Sequence, residues 1–255
     1  MLKKVIRIIA IIICLVIIIY EGVMIYIDQN EYKEASNEYD EIRDMAVTYT
    51  SEDEAEIVDY PLLSINFNKL EEINPDITAW VYFPCLDISY PVVKENEIDE
   101  YLYKTFDLKD NKAGCIFEDV LSDPEFKGYH DIIFGHNMKD KSMFGKLKTL
   151  YQSGNEALLD DDPYVYIYTR DHVYQYRVFA YYITTVGSEA YTVVSDLDGY
   201  KDFVFYIQTH SSYKIPSDVD LDSGISILTL STCSGKTGGK QRFVVHSVKV
   251  NSWEK

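Results

Sequence analysis

Ile225-Ser226-Ile227-Leu228-Thr229-Leu230-Ser231-Thr232-Cys233 is followed by the polar run Ser234 to Gln241 and then by Arg242-Phe243-Val244-Val245. The pattern reads as strand, loop, strand. Alternation places Ile225, Ile227, Thr229, Ser231 and Cys233 on one face, with Leu228 and Leu230 on the other. Pairing across the loop brings Cys233 and Arg242 together at one end of a sheet. A cysteine nucleophile reacts as its thiolate, and at a free pKa of about 8.5 only a few per cent is ionised at neutral pH. A neighbouring arginine favours the anion, or stabilises an oxyanion on an attacked carbonyl, and stays charged at any relevant pH. Taken alone, a strand-end cysteine is structural more often than catalytic, so the rest of the chain has to decide.

Outward from this hairpin the texture is the same. After Asp76, runs rich in Val, Ile, Tyr and Phe alternate with Gly, Asp, Asn and Pro: 79–83, 88–93, 114–117, 132–134, 164–169, 173–185, 225–230 and 243–250. Eight short strands at this spacing predict an all-β barrel or sandwich. Helical stretches interrupt it near Met143–Tyr151 and Leu197–Gln208. A short helix near Asn66–Ile73 ends at Asn74-Pro75, because the residue before proline is pushed out of helical space.

The N-terminus is different. Lys3, Lys4 and Arg7 precede an apolar run, Ile8–Tyr20, that resumes at Val23–Ile27 after Glu21 and Gly22. As a helix, residues 8–27 span about 30 Å, one bilayer core. Bulky residues where a signal peptidase needs small ones favour an uncleaved anchor. Basic residues before the span place residues 1–7 in the cytoplasm and the rest outside. Residues 28–75 read as a helical and acidic linker, with Tyr32, Ala35, Tyr39, Ile42, Met45 and Ala46 at helical spacing and an acidic stretch at Ser51–Glu56. Residues 76–255 read as the β domain.

A formal net charge of −18 argues against nucleic acid as a partner, since phosphate binding needs a basic surface. Four cysteines, Cys14, Cys85, Cys115 and Cys233, form no C-x-x-C pair, so neither a disulfide framework nor a zinc site is expected. Ser234-Gly235-Lys236-Thr237 looks like the tail of a phosphate loop, but Leu230 stands where that pattern needs glycine. A cysteine nucleophile usually needs a histidine to protonate the leaving amine. His136, after Ile132-Ile133-Phe134 and a glycine, sits on a strand-end loop where site residues gather. His130 reads as a loop residue, His246 as mid-strand about 13 Å from Arg242, and His172 as a hairpin-turn residue.

Together, Thr229-Leu230-Ser231-Thr232-Cys233, Arg242 nine residues on, and Gly135-His136-Asn137-Met138 upstream resemble the sortase family. Ile73-Asn74-Pro75-Asp76-Ile77 leading to Trp80, Tyr90-Pro91-Val92-Val93, Tyr101-Leu102, Gly114-Cys115-Ile116-Phe117 and Ser142-Met143-Phe144 resemble its class B. The resemblance covers residues 60–250. Two departures stand out: Lys94-Glu95-Asn96-Glu97-Ile98 replaces the usual Asp-Asn, and Cys115 replaces a usual serine. The resemblance implies an eight-stranded closed β-barrel with N-terminal helices and a helix inserted between two late strands. It implies a cell-surface cysteine transpeptidase, without cofactor or metal, that cleaves a C-terminal sorting motif of secreted proteins, often of Asn-Pro-x-Thr type, after the threonine. Cys233 would hold the thioester, His136 would act as acid and then base, and Arg242 would position substrate or stabilise the oxyanion. Asn137, Thr229, Ser231 and Thr232 are the expected substrate-binding residues. The acceptor would be an amine of peptidoglycan or its lipid-linked precursor. A pilin-polymerising enzyme using a lysine nucleophile and a catalytically silent binding barrel are the alternatives.

Overall fold

The computed structural model describes residues 2–49, 63–152, 155, 157–222, 226–234 and 239–255. Ile225, the acidic stretch Ser51–Glu56 and Gly235–Gly238 lie outside the described residues.

The first element is one helix, Leu2–Ala46. It joins the expected anchor and the helical segment after residue 27 without interruption, and Gly22 sits inside it with open space around it. Its most apolar 18-residue window has mean hydropathy 3.0, with none of it buried against the barrel. It is thus long and apolar enough to cross a membrane and is not a core helix. Beyond it, Ala35, Tyr39, Ile42 and Ala46, spaced one or two turns apart, turn one face onto the β domain and are buried there. The Tyr39 hydroxyl donates to the Gly114 carbonyl at 2.8 Å, closing that contact.

Two short strands, β1 (Val47–Tyr49) and β2 (Leu63–Ile65), pair antiparallel. The helix Phe67–Ile73 follows. Asn66 caps it by accepting from the Lys69 N–H at 3.1 Å, and Asn74 leaves it in extended geometry before Pro75.

Eight strands then build the barrel: β3 (Ile77–Phe83), β4 (Ile88–Lys94), β5 (Ile116–Glu118), β6 (His130–Phe134), β7 (Tyr164–Tyr168), β8 (His172–Thr185), β9 (Ile227–Cys233) and β10 (Gln241–Glu254). The order is β10-β8-β7-β3-β4-β5-β6-β9, and the barrel is closed. Each strand coincides with one of the eight β-rich runs in the sequence, and closure settles barrel against sandwich. Pairing is antiparallel except for β4 with β5 and β6 with β9. The second parallel pair joins strands nearly a hundred residues apart. The Met143–Tyr151 stretch forms a 3-10 helix, Phe144–Tyr151, rather than an α-helix.

Strand alternation sorts the apolar side chains into two layers. Leu228, Leu230, Phe243 and Val245 belong to the large interior cluster. Ile227, Val244 and Val248 face outward and pack with Phe203, Val204 and Ile207 of the inserted helix Leu197–His210. That helix starts at Asp196, whose carboxylate accepts from the Gly199 N–H at 2.8 Å.

A carboxylate lies buried beside the β4–β5 ladder. Glu118 is fully buried, with its carboxylate 3.7 Å from the Lys94 amine. Burial pushes its pKa up to about 8 against the opposing pull of Lys94. A carboxyl whose folded pKa is raised contributes stability below its unfolded pKa and loses it as pH rises through the folded value. Glu118→Gln removes that loss. The melting temperature of the variant relative to the parent is therefore expected to rise between pH 5 and pH 9, by on the order of 5 °C. Lys94 keeps the Asp119 and Ser122 carbonyls as acceptors in the variant. A difference independent of pH in calorimetry would show that Glu118 is not the titrating group.

Candidate active site

Strand register brings the candidates together. In β9–β10, Cys233 stands opposite Arg242. The next pair outward is joined by the Ser234 N–H and the Gln241 carbonyl at 3.3 Å. Cys233 and Arg242 therefore form a non-hydrogen-bonded pair, the kind in which facing side chains lie closest. In the parallel pair β6–β9, Phe134 stands opposite Ser231, and the Gly135 N–H donates to the Ser231 carbonyl at 3.1 Å. Continuing that register two residues puts His136 level with Cys233. His136, Cys233 and Arg242 thus occupy one rung across three adjacent strand ends. Ile227 and Val244 fix the phase: Cys233 and Arg242 share their outward face, at the barrel rim.

A cavity of about 350 Å³ opens there. Cys233, His136 and Arg242 line it together with Ser231, Thr232 and Tyr191. Ile98, Leu102, Phe117, Phe134 and Val186 give it apolar walls, and Glu95, Asp99 and Asp119 lie at the ends of β4 and β5. Burial, then the charges of Asp119 and Asp99, push Glu95 up to about 7.

His136 is held by a backbone carbonyl. Its Nε2 lies 2.6 Å from the Leu102 carbonyl. A carbonyl only accepts, so Nε2 carries the proton and Nδ1 is left to take or give one. Burial lowers its pKa, and the positive charge of Arg242 lowers it further against the Leu102 hydrogen bond. The imidazole is thus neutral at pH 7. Gly114 and Gly135 make this placement possible. Gly114 has φ +58°, and a Cβ there would meet the Leu102 carbonyl at 2.4 Å and His136 at 3.0 Å. A Cβ on Gly135 would meet Ile116 at 2.4 Å.

Arg242 donates through Nη1 to the carbonyls of Gly239 and Gln241, at 2.9 and 3.0 Å. Both contacts use Nη1, and Nε and Nη2 can serve as donors for a ligand. Tyr191 shares a 2.9 Å hydrogen bond with Ser231 and stacks on Phe134 at 5.9 Å between ring centroids. Its position was not legible in the sequence. It arrives from the segment after β8, and no local motif marks it. The same holds for the Leu102 carbonyl that orients His136.

The expected substrate-binding residues divide. Ser231 and Thr232 line the cavity; Asn137 and Thr229 do not. Asn137 is engaged in an antiparallel bridge with Met143. Thr229 is fully buried beneath the inserted helix, one turn of the β9 alternation too deep. It joins the two histidines that the sequence left unexplained. His130 is not a loop residue: it opens β6 and is buried. Its Nδ1 lies 2.8 Å from the Thr192 carbonyl and must donate, so its Nε2, 2.8 Å from the Thr229 hydroxyl, accepts. Burial holds His130 at about 4 and His246 far below its usual range, so both are neutral. Thr229 Oγ1 then accepts from His246 Nδ1 at 2.8 Å, and His246 Nε2 accepts from the Tyr182 hydroxyl at 3.1 Å. Every proton in this chain is accounted for. Thr229→Val breaks its centre and strands two buried ring nitrogens. The expected cost is about 1–3 kcal/mol of stability in chemical denaturation, with kcat/KM kept within a few-fold. A large activity loss at full stability would place Thr229 in the reaction instead.

The domain's relatives agree with one another. Residues 81–250 match the family model described as the Sortase domain. A sortase B of Listeria monocytogenes is 30% identical over 178 residues, covering 69% of this chain and 70% of the relative. A sortase B of Staphylococcus aureus is 25% identical over 185 residues, covering 72% of this chain and 74% of the relative. Among solved structures, sortase B of Bacillus anthracis, in complex with AAEK1, superposes with a TM-score of 0.69 at 28% identity, over 87% of this chain and 98% of that one.

Proposed function

The chain belongs to the sortase family of cysteine transpeptidases, on the class B side, and from that premise we propose that Cys233, His136 and Arg242 transfer the acyl part of a C-terminal sorting motif to a cell-wall amine. The observation that carries the assignment is the shared rung of the three side chains at the mouth of one cavity.

The chemistry follows from the proton positions. Cys233 gives its proton to Nδ1 of His136 as Sγ attacks the carbonyl carbon of the motif's threonine. The developing oxyanion is met by the Nε and Nη2 N–H groups of Arg242. His136 passes the proton to the departing amine, the C–N bond breaks, and the acyl group remains as a thioester on Sγ. An incoming amine attacks that carbonyl, His136 takes the amine's proton, and Sγ leaves and is reprotonated. The acceptor is an amine of peptidoglycan or its lipid-linked precursor. Residues 8–27 anchor the enzyme with the N-terminus in the cytoplasm and the barrel outside, which the basic residues Lys3, Lys4 and Arg7 before the span support.

The test uses the full chain in detergent with synthetic peptides carrying sorting-type motifs and a panel of amines, read by product mass spectrometry. The expected products are the amide of the motif threonine with the added amine and, without amine, a thioester adduct on Cys233. Cleavage with no adduct and no amine incorporation contradicts the transpeptidase reading. Preferential joining to a pilin lysine redirects it to polymerisation.

A further inference from the structure

The helix that carries the anchor also fixes the height of the barrel above the membrane. It is unbroken from Leu2 to Ala46, so each residue past the span adds about 1.5 Å. The span ends at Ile27. The hairpin that follows Tyr101 is tied to the helix just beyond that point. Lys112 pairs with Asp28 and Glu31, and its backbone N–H donates to the Glu31 carboxylate at 2.8 Å. The Asn111 amide donates to the backbone carbonyl of Glu31 at 3.0 Å. Glu31 stands four residues past the span, about 6 Å above the hydrocarbon. Tyr103 shares this level, because its carbonyl accepts from the Asn111 N–H at 2.9 Å. The headgroup layer on each side of a bilayer is about 5–7 Å deep.

We infer that the hairpin base around Tyr103 rests in the outer headgroup layer and holds the His136 end of the cavity at that height. The inference rests on the anchor reading above. Tyr103 is 61% exposed, and tyrosine is a side chain that settles at a membrane–water interface, ring toward apolar matter and hydroxyl in water. The same ring lies 6.0 Å from the His136 ring, so the contact abuts the catalytic face. Anionic lipid is not what holds it. Lys104 pairs with Glu100, Lys109 with Asp107, and Lys112 with Asp28 and Glu31, which leaves no unpaired cation on this hairpin among the described residues. The rigid tether and the tyrosine suffice. The cavity then opens at headgroup height, so a substrate still held by a lipid or an apolar tail reaches Cys233 without leaving the membrane surface.

The experiment places the full chain in nanodiscs with a nitroxide on the lipid headgroup. Tyr103→Trp, made in a Trp253→Phe background so that only buried Trp80 remains, reports the hairpin. Tyr49→Trp in the same background reports a residue just past the helix end, about 28 Å up. Quenching of the first indole by half or more, with the second untouched, is expected, and equally in zwitterionic and anionic nanodiscs. Equal quenching of both, or quenching only with anionic lipid, overturns the inference. A readout that needs no substitution is deuterium uptake over residues 103–112 of the unaltered protein, expected to be slower in nanodiscs than in an amphipathic polymer; equal uptake overturns the inference too. Failure of the chain to enter nanodiscs contradicts the anchor reading instead.

Discussion

Cys233→Ala is expected to lower peptide cleavage and amine transfer by about 10⁴-fold or more, with a melting temperature within about 2 °C of the parent. The activity loss follows because, among the described residues, no second thiol lines the cavity. Of the other cysteines, Cys14 lies in the apolar helix, and burial pushes the thiols of Cys85 and Cys115 up to about 12. Neither of those two forms thiolate at neutral pH. Stability is kept because Cys233 is the half-buried last residue of β9, and the interior is packed by Leu228 and Leu230. The same contrast gives a second readout. A hydrophilic thiol reagent at pH 7 is expected to modify Cys233 and leave Cys85 and Cys115 unmodified in peptide mapping. Loss of labelling at Cys233 with unchanged labelling elsewhere is the signature of the variant. An inert Cys233 in the parent would favour the silent binding barrel.

How far the sequence reaches can be seen in particular residues. The β9–β10 hairpin is local, so alternation and a polar loop were enough to pair Cys233 with Arg242. The eight runs marked all eight barrel strands, because β-branched and aromatic residues between turn-formers leave few other readings. Local pattern says nothing about which distant strands pair. His136 reaches Cys233 only because β6 lies parallel to β9, and residues 135–226 separate them in the chain. Without that pairing, His136, His130 and His246 differ only in neighbourhood, and the family motif alone singled out the first. Thr229 shows the limit from the other side. Its face follows from alternation, but the pattern does not show that this part of β9 is covered, and Thr229 is buried there between two histidines, outside the cavity lining. The N-terminal helix was legible in two pieces, the apolar run 8–27 and the helical spacing from Tyr32 to Ala46, which the structure joins into one element.

His136→Ala is the second variant of large expected effect, a fall in kcat of about 10²–10⁴-fold, and its pH behaviour tests the role assigned to it. A general base must be deprotonated to receive the thiol proton. Burial and Arg242 hold the imidazole below its usual range, so it is available at pH 7 and becomes blocked only as pH falls through the lowered value. The acid limb of kcat/KM in the parent is therefore expected below pH 6.5. Arg242→Gln removes the nearby positive charge. The imidazolium is then less disfavoured, the His136 pKa rises, and the acid limb moves to higher pH, on top of a fall in rate of about 10²–10³-fold from the lost oxyanion donor. NMR titration of the His136 ring in the full chain gives the same shift without turnover. In His136→Ala the limb is expected to vanish from the residual activity. A limb that stays in place without His136, or that does not move when Arg242 loses its charge, would assign the titration to another group and separate these two residues from the proton path that their shared rung implies.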